Sequence, residues 1–554
     1  MKNLGPFKRV EEPIEVKVDL NTLKPGINSL KDFIVKLNEL GEVVYVITKI
    51  CDHAGGKLIV KEECAVCPLH GWELNLNTLK YNNSHENKKP IKYTLEKNIL
   101  TINSSKGTLI NENCNAENDH SFTMQWLNHA SIEFRYNDTS LITDPWLCGP
   151  AFLGGWWLEE PSLKSSIDKL VNANYVYISH NHPDHLHPET LRLLSRETTI
   201  LSPKFTSRAT SKYLTSLGFT NIKELEFNHL YELEPGFTVS ILKSGDFRDD
   251  SGLYLQLGKR ECLLTVDSNY LNSGTLPSDI DILLTSFAGG ASGFPLIYQN
   301  FNNSDKGKIL RRNANSIKAG VLDYLNRTRP KYYHPYAGMF DEKANRDSEI
   351  KLSNVKNTTG SFVPICESKG ITFLSPDKRK VYCFNSDRLT IKEDNSEYLP
   401  AENIDVYLKS FRDQNPLNLE EILTYMSNSN YRGDQIVNLI PTNDNFDTPD
   451  SFIFCDFSQQ YFTPKPIEEL DEKHFGKRTM TIKIRSEVLM MVIKNKMPWE
   501  DFSIGFQARI TRFPNTYESE FWYHFTNKYI NDRFFKFNQH CGACKLIDQN
   551  PKLI

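Results

Sequence analysis

The sequence has no long hydrophobic run and little net charge, and these two absences exclude several classes of protein. No stretch has the length of a membrane-spanning helix, and the start, MKNLGPFKRVEEP, lacks the apolar region of a signal peptide. A net charge of −4 over 554 residues does not indicate a nucleic-acid or membrane-surface partner. Eleven scattered cysteines, an odd number, do not indicate a disulfide scaffold. We therefore expect a cytoplasmic protein of two to four domains, without nucleic acid or a membrane span.

Two cysteine–histidine motifs lie near the N-terminus. Cys51 and His53 form a C-x-H pair, and Cys67 and His70 form a C-x-x-H pair. Two thiolates on one iron and two imidazoles on the other are the ligands of a Rieske [2Fe–2S] cluster, which transfers single electrons. The alternative is a zinc site, because Cys64 and Cys67 also form a C-x-x-C pair. We predict the cluster, with Cys64 not a ligand.

A second metal motif follows a strand-like run at residues 175–179. An H-x-H-x-D-H loop after a buried strand can direct four metal-binding side chains into one cleft. The four residues are His180, His182, Asp184 and His185. The pattern resembles the metallo-β-lactamase superfamily, which implies an αββα sandwich with a mononuclear or binuclear metal site at the strand ends.

The same resemblance implies further ligands on later strands. Asp267 fits the bridging aspartate and His334 the last ligand, whereas His129 is either a residue of the site or a structural histidine. Residues 244–250 contain no histidine where the superfamily supplies one. The half-site of His180 and His182 is therefore short of a ligand unless Asp246 completes it.

The other half-site, Asp184 with His185 and His334, is a complete set of two histidines and one carboxylate. Such a set suits non-haem Fe(II) that also binds O₂. We therefore expect a mononuclear iron, with zinc or a binuclear site as alternatives. A hydrolase of this fold needs no electron carrier, whereas oxygen activation at iron does. The pairing of the two motifs thus predicts a monooxygenase.

Five longer stretches resemble the CMP-N-acetylneuraminate hydroxylase family, and the similarity spans nearly the whole chain. They are residues 144–157, 286–295, 336–340, 504–512 and 521–525. The resemblance implies O₂-dependent hydroxylation of the N-acetyl methyl group of CMP-N-acetylneuraminate. It also implies electrons from an NADH-dependent reductase through a cytochrome b5-like or ferredoxin-like carrier. The ligands implied for the cluster are Cys51, His53, Cys67 and His70, and those for the catalytic metal are His180, His182, Asp184, His185 and Asp267.

Two other functions remain open from the sequence. One is a metallo-β-lactamase-fold hydrolase, a lactonase or phosphodiesterase, with a redox-regulatory Rieske domain. The other is an electron-transfer or redox-sensing scaffold whose second metal site is vestigial. The main hypothesis also has a variant, in which the chain is a relative of the hydroxylases that acts on another N-acylated sugar nucleotide.

The predicted domains are an all-β Rieske domain (1–107), the metallo-β-lactamase-like sandwich (122–355) and a C-terminal α+β region of unclear role, mixed or mostly helical (356–554). Four features outside the metal motifs have a functional and a structural interpretation. The glycine-rich loop 288–293 could bind a phosphate or form a tight turn, and Trp156–Trp157 could contact substrate or pack in a core. Arg509 and Arg512 could bind an anion, although a surface ion pair is the default. The C-x-x-C pair Cys541–Cys544 is interpreted as ordinary thiols.

Overall fold

A computed structural model of the chain describes residues 1–52, 55–69, 71–82, 87–112, 121–246, 248–385, 388–474 and 476–528. The chain begins with strand β1 (Lys2–Pro6) and continues into a small all-β unit of three three-stranded sheets. Their orders are β2-β10-β9, β3-β4-β5 and β6-β7-β8. The strands are β2 (Lys8–Asp19), β3 (Gly26–Ser29), β4 (Phe33–Leu37), β5 (Val43–Thr48), β6 (Ile59–Lys61), β7 (Cys64–Val66), β8 (Glu73–Asn75), β9 (Tyr93–Glu96) and β10 (Ile99–Ile110).

The central unit is a sandwich of two eight-stranded sheets with helices outside. Its strands are β11 (Phe122–Asn128), β12 (Ser131–Tyr136), β13 (Thr139–Thr143), β14 (Trp157–Leu158), β15 (Tyr175–Tyr177), β16 (Thr199–Pro203), β17 (Ile222–Leu225), β18 (His229–Glu234), β19 (Phe237–Lys243), β20 (Ser251–Leu257), β21 (Arg260–Leu264), β22 (Ile282–Thr285), β23 (Tyr332–Pro335), β24 (Phe340–Asp341), β25 (Thr372–Phe373), β26 (Lys380–Phe384) and β27 (Leu389–Glu393). Of these, β14 and β24 pair with each other in a separate two-stranded sheet. Its helices are α1 (Lys164–Val171), α2 (Pro188–Leu191), α3 (Ala209–Ser216), α4 (Asn303–Thr328), α5 (Ser348–Ser353) and α6 (Val363–Glu367).

The two sheets of the sandwich recruit strands from beyond the predicted boundaries. One sheet has the order β1-β18-β19-β20-β21-β22-β23-β25, and the other has the order β17-β16-β15-β13-β12-β11-β26-β27. β1 therefore belongs to the sandwich although it precedes the small unit, and β25 to β27 extend the sandwich past residue 355. An open sheet edge has unpaired N–H and C=O groups, and a strand that pairs with the edge satisfies them wherever that strand lies in the sequence.

The C-terminal unit is built on a five-stranded sheet in the order β30-β29-β28-β31-β32. Its elements are α7 (Ile404–Gln414), α8 (Leu419–Ser427), β28 (Gln435–Thr442), β29 (Ser451–Asp456), β30 (Tyr461–Pro466), β31 (Arg478–Arg485), α9 (Ser486–Asn495), α10 (Trp499–Ile504), β32 (Ala508–Phe513) and α11 (Ser519–Tyr523). The prediction of a mostly helical region is corrected here. β28 is buried at every position, and such a short apolar run lacks the alternation that marks a half-exposed strand.

The main core lies between the two sheets of the sandwich, and a second core lies under α1 and α3. In each sheet four neighbouring strands run parallel, β13-β15-β16-β17 in one and β21-β22-β23-β25 in the other. Since parallel strands end at the same edge of a sheet, the loops that follow them gather there. In the described part of the chain, no helix combines the length and the apolar character needed to cross a membrane.

Candidate functional site

The histidine-rich loop follows β15 at the edge of its sheet. His180 and His185 are buried and His182 is half-buried, with His180 Nε2 only 3.0 Å from His182 Nδ1. Asp184 is also buried, and its Oδ2 lies 3.4 Å from His185 Nε2. The loop therefore directs its four donor side chains toward one region, as the sequence motif predicts.

Two adjacent clusters of possible metal ligands form around this loop. His129, Asp184 and His185 make one cluster, and the remaining two loop histidines with Asp267 make the other. Within each cluster all donor atoms lie within 4.8 Å of one another. His185 Nε2 lies 3.4 Å from Asp267 Oδ2, so the clusters touch. Each is a set of two histidines and one carboxylate, and the arrangement has room for two metal ions.

A surrounding layer of polar groups orients the histidines. Asp144 is fully buried and accepts hydrogen bonds from the backbone N–H and hydroxyl of Ser179, at 2.7 and 2.8 Å. Its Oδ2 also lies 3.1 Å from His185 Nδ1, and an Asp250 carboxylate oxygen lies 3.6 Å from His180 Nδ1. A carboxylate on the far nitrogen of a ligating imidazole fixes the tautomer and orientation of the ring.

The electrostatics of the clusters follow from burial and close charges. Burial lowers the pKa of His180 well below its ordinary value, and the neighbouring histidines add to the effect. The pKa of His185 is raised well above its ordinary value because nearby carboxylates, first Asp184, outweigh the opposing effect of burial. The pKa of Asp184 is held well below its ordinary value despite burial, mainly by the charge of His185. Burial raises the pKa of Asp250 to about 7.

Two residues considered as ligands in the sequence lie elsewhere in the structure. His334, on β23, belongs to neither cluster; its ring centre is 6.4 Å from that of Tyr382 in the core. Asp246 is bound by Arg248, whose guanidinium lies 3.0 Å from it. His129 takes part in the cluster where His334 was expected. The reason for expecting a single metal, an incomplete half-site, therefore no longer holds, because Asp267 completes the set of His180 and His182.

Residues from the C-terminal unit also reach the site, which the sequence analysis missed. Glu500, at the start of α10, places Oε1 3.2 Å from His182 Nε2. Burial lowers the pKa of His182, but the hydrogen bond and charge of Glu500 outweigh it and raise the pKa to about 9. The neighbouring Asp501 is buried, and burial raises its pKa to about 8. The sequence offered one indication of these two residues, because Glu500 and Asp501 form an acidic pair in the first turn of α10.

The two cysteine motifs lie on loops with the same backbone pattern. The N–H of Cys51 donates to Gly56 O at 2.7 Å, and the N–H of Cys67 donates to Trp72 O at 2.7 Å. Both cysteines are buried, and a Cβ on Gly56 would lie 2.7 Å from Cys67 Sγ, so the loops pack together. His53 and His70 lie outside the described residues. Among the residues described, Cys64 belongs to no cluster of candidate ligands.

A cavity of about 690 Å³ is lined by the loop that carries Cys67 and by the metal clusters. Cys67 and Leu69 line one side, and His180, Asp184 and Asp267 line another. The loops are fixed there by contacts: the Leu69 carbonyl accepts a hydrogen bond from the Asn313 side chain at 3.2 Å. A Cβ on Gly71 would lie 3.3 Å from the ring of Phe294. The space for a substrate is therefore bounded by both predicted cofactor sites.

The other features noted in the sequence divide between the cavity and the core. The loop 288–293 and Trp156 line the cavity, and the Trp156 ring stacks on Phe340 with centres 3.6 Å apart. Trp157 packs in a small separate core with Leu408. Cys541 and Cys544 lie outside the described residues.

The chain is similar to known proteins both in its central unit and over nearly its whole length. The model of a beta-lactamase superfamily domain matches residues 123–238. Cytidine monophosphate-N-acetylneuraminic acid hydroxylase of Danio rerio is 28% identical over 574 aligned residues, covering 92% of each chain. The hydroxylase of Xenopus laevis is 28% identical over 567 residues with the same coverage. The resemblance to the CMP-N-acetylneuraminate hydroxylase family is confirmed.

The prediction of an oxidoreductase is confirmed by these hydroxylase relatives, and the family model supports the predicted metallo-β-lactamase fold over residues 123–238 of the central unit. Among solved structures, CmlA, a diiron beta-hydroxylase from Streptomyces venezuelae, is 16% identical. It covers 48% of this chain and 54% of its own, with a TM-score of 0.31.

Proposed function

We propose that the chain is an iron-dependent monooxygenase that hydroxylates the N-acetyl group of CMP-N-acetylneuraminate to CMP-N-glycolylneuraminate. The observation that carries the proposal is the shared cavity, which is lined both by the loop of Cys67 and by the metal clusters. A hydrolase would have no use for an electron carrier facing its substrate. The similarity over 92% of the chain to hydroxylases of this name supports the choice of substrate.

The donor sets fit metal ions. Asp184 Oδ1 and His185 Nε2 are buried and have no hydrogen-bond partner among the described residues. Buried polar atoms without a hydrogen-bond partner are costly unless a cation binds them. We assign non-haem iron to the two clusters, where it would supply the binding and activation of O₂. Cys51 and Cys67, together with His53 and His70, would hold the [2Fe–2S] cluster.

The proposed reaction needs two electrons and two protons. One oxygen atom of O₂ enters a methyl C–H bond to give C–O–H, and the other leaves as water. The electrons would come one at a time from a cytochrome b5-like or ferredoxin-like carrier with its NADH-dependent reductase in the cytoplasm. Asp501 is buried and lines the cavity, so its carboxyl is positioned to take part in proton transfer.

The enclosure of the site has its own role. Trp156 and Phe340 are buried and stacked, and they give the cavity an apolar wall. An apolar wall limits the access of water, which protects reactive intermediates from side reactions. Glu500 holds the ring of His182 in place from the C-terminal unit.

The proposal is tested by incubating iron-loaded protein with CMP-N-acetylneuraminate, ¹⁸O₂ and a chemical reductant, followed by mass spectrometry. The expected product is heavier by one oxygen atom, which carries the isotope label. Product formed without O₂ and reductant, in a zinc-loaded sample, would instead establish the hydrolase. A product without the label would contradict oxygen transfer from O₂.

A pair of cysteine variants separates the cluster from the zinc alternative. Cys67→Ser should abolish the visible spectrum of the [2Fe–2S] cluster and the reductant-dependent turnover, while the second metal site keeps its content. Cys64→Ser is the matched control, and it should retain both the spectrum and the turnover. Equal loss in the two variants would favour a zinc site that uses both thiolates.

A further inference from the structure

Arg512 lines the cavity from the end of β32 and is held rigidly there. Its backbone is clamped by Asn300, because the Arg512 N–H donates to Asn300 Oδ1 and Asn300 Nδ2 donates to the Arg512 carbonyl, both at 2.9 Å. Its Nε donates to Asn515 Oδ1 at 2.9 Å. The guanidinium lies over the ring of Tyr298, 4.4 Å from its centre. The position of the charged group is therefore set before any ligand arrives.

This charge is buried without a compensating carboxylate. Arg512 is 7% exposed, and among the described residues no carboxylate lies within 4.0 Å of it. The carboxylate that acts on it electrostatically is that of Glu518, which is engaged in an ion pair with Arg478. A buried, unpaired cation is costly, so a protein retains one where an anionic ligand completes the pair. The planar guanidinium suits a phosphate or carboxylate, because two parallel N–H groups match two oxygens.

Two other arginines of the cavity show why Arg512 is distinctive. Arg248 also lines the cavity, but its guanidinium lies 3.0 and 3.5 Å from the carboxylates of Asp246 and Asp250. Arg312, on α4, lines the cavity from an exposed position, and no ion pair of its own is found in the described part of the chain. Of the three arginines among the described residues that line the cavity, Arg248 is neutralised, Arg312 is exposed, and Arg512 is buried without a carboxylate partner.

We propose that Arg512 is the anion receptor of the cavity and binds the phosphate or the carboxylate of an acidic sugar nucleotide. The inference rests on the proposed function for the ligand class, since such a molecule carries both anions. The surface ion pair expected for this residue from the sequence is replaced by a buried position facing the cavity. Bound there, the ligand would lie between the cysteine loops and the metal clusters, which share the same space.

The same strand provides a matched control. Arg509 lies three positions before Arg512 and therefore on the opposite face of β32. It is also mostly buried, with its guanidinium 4.3 Å from the ring centre of Phe446, but it does not line the cavity. A loss of fold caused by removing a buried arginine from this strand should therefore appear in Arg509→Gln as well.

The test is calorimetric binding to the full-length protein without turnover, using wild type and the variants Arg512→Lys, Arg512→Gln and Arg509→Gln. The probes are CMP-N-acetylneuraminate, CMP, free N-acetylneuraminic acid and cytidine. We expect both Arg512 variants to bind the sugar nucleotide about tenfold to a hundredfold more weakly, because one charged bidentate contact is lost. Arg509→Gln should bind as wild type does. The lysine variant keeps the charge and the stem, so it also tests whether the planar fork matters.

The smaller probes identify the anion. A loss confined to CMP assigns the phosphate, a loss confined to free N-acetylneuraminic acid assigns the carboxylate, and cytidine should be unaffected in either case. Unchanged affinity for every anionic probe in both Arg512 variants, or an equal loss of cytidine, would overturn the proposal. Wild type that binds CMP through Arg512 but does not bind CMP-N-acetylneuraminate would support the anion site and refute the proposed substrate. Wild type that binds no anionic probe would refute both.

Discussion

Replacing Gly56 by alanine should displace the sulfur of Cys67. The backbone of Gly56 lies outside the left-handed region, so alanine can adopt its conformation and only the added methyl group matters. The new Cβ would lie 2.7 Å from Cys67 Sγ and 2.9 Å from two carbons of Leu69. Ordinary contacts between such atoms are about 3.5–4.0 Å, so the shortfall is about 1 Å. Cys67 has little room to yield, since it is fully buried and its backbone is bonded to Trp72.

The expected effect on the cluster is larger than the effect on the fold. Overpacking of this kind costs about 1–3 kcal/mol, which a domain of this size tolerates. A metal ligand tolerates only about 0.2 Å of displacement, so a shift of about 1 Å should prevent most cluster assembly. The assay is iron and acid-labile sulfide per chain with the visible and electron paramagnetic resonance spectra. The thermal midpoint, measured in parallel, should fall by only a few degrees.

The matched control is Gly320→Ala on α4. A Cβ there meets no atom within 4 Å, and alanine is favoured over glycine inside a helix by up to about 1 kcal/mol. This variant should keep its full sulfide content. Full sulfide and an unaltered spectrum in Gly56→Ala would show that Cys67 does not present its sulfur to the opposite loop as argued.

Three further predictions concern the metal clusters and the junction with the C-terminal unit. His129→Gln should lose about half of the metal of the second site, while His334→Gln should keep it, and equal metal contents by mass spectrometry would contradict the cluster assignment. The affinity of the apo-protein for Fe(II) or Zn(II) should rise with pH up to about 9. Burial disfavours a proton on His182, but Glu500 keeps one there, and metal binding must expel it. Calorimetry in buffers of different ionisation enthalpy measures the protons released, and no release would refute this prediction. Arg485→Met should lower the free energy of unfolding by about 3–5 kcal/mol. It removes the guanidinium that lies 2.8 Å from the buried carboxylate of Asp347 and leaves that carboxylate without its ion-pair partner. Arg208→Met, which removes an ion pair whose arginine is exposed, should cost less than about 1 kcal/mol in the same denaturant titration.

The sequence was most informative where several chemical groups lie close together along the chain. The four donors from His180 to His185 follow one strand, so their convergence in the structure requires only that the strand end at the sheet edge. Such local signals do not depend on the rest of the fold.

Signals that depend on distant packing were weaker. His334 lies within β23, where neighbouring side chains alternate between the two faces of the sheet, and a sequence does not show which face meets the metal site. Asp246 and Asp250 are close in sequence, yet only one faces His180, because the turn before β20 sets their directions. Arg512 reaches the cavity only because the whole C-terminal unit packs against the sandwich. The distinction between a surface ion pair and a buried charge was therefore beyond the sequence.

The position of β1 means that the small all-β unit is tethered at both of its ends. β1 pairs with β18 before the chain enters the unit, and β10 leads back toward the sandwich on the other side. A protease cut between residues 112 and 121 would leave the fragments associated under native conditions, and they would separate only after denaturation. Because the unit is held to the sandwich at two points, we do not expect it to move as a whole during the proposed electron transfer. The distance between the two cofactor sites would then stay constant, and the rate of electron transfer would not depend on solvent viscosity.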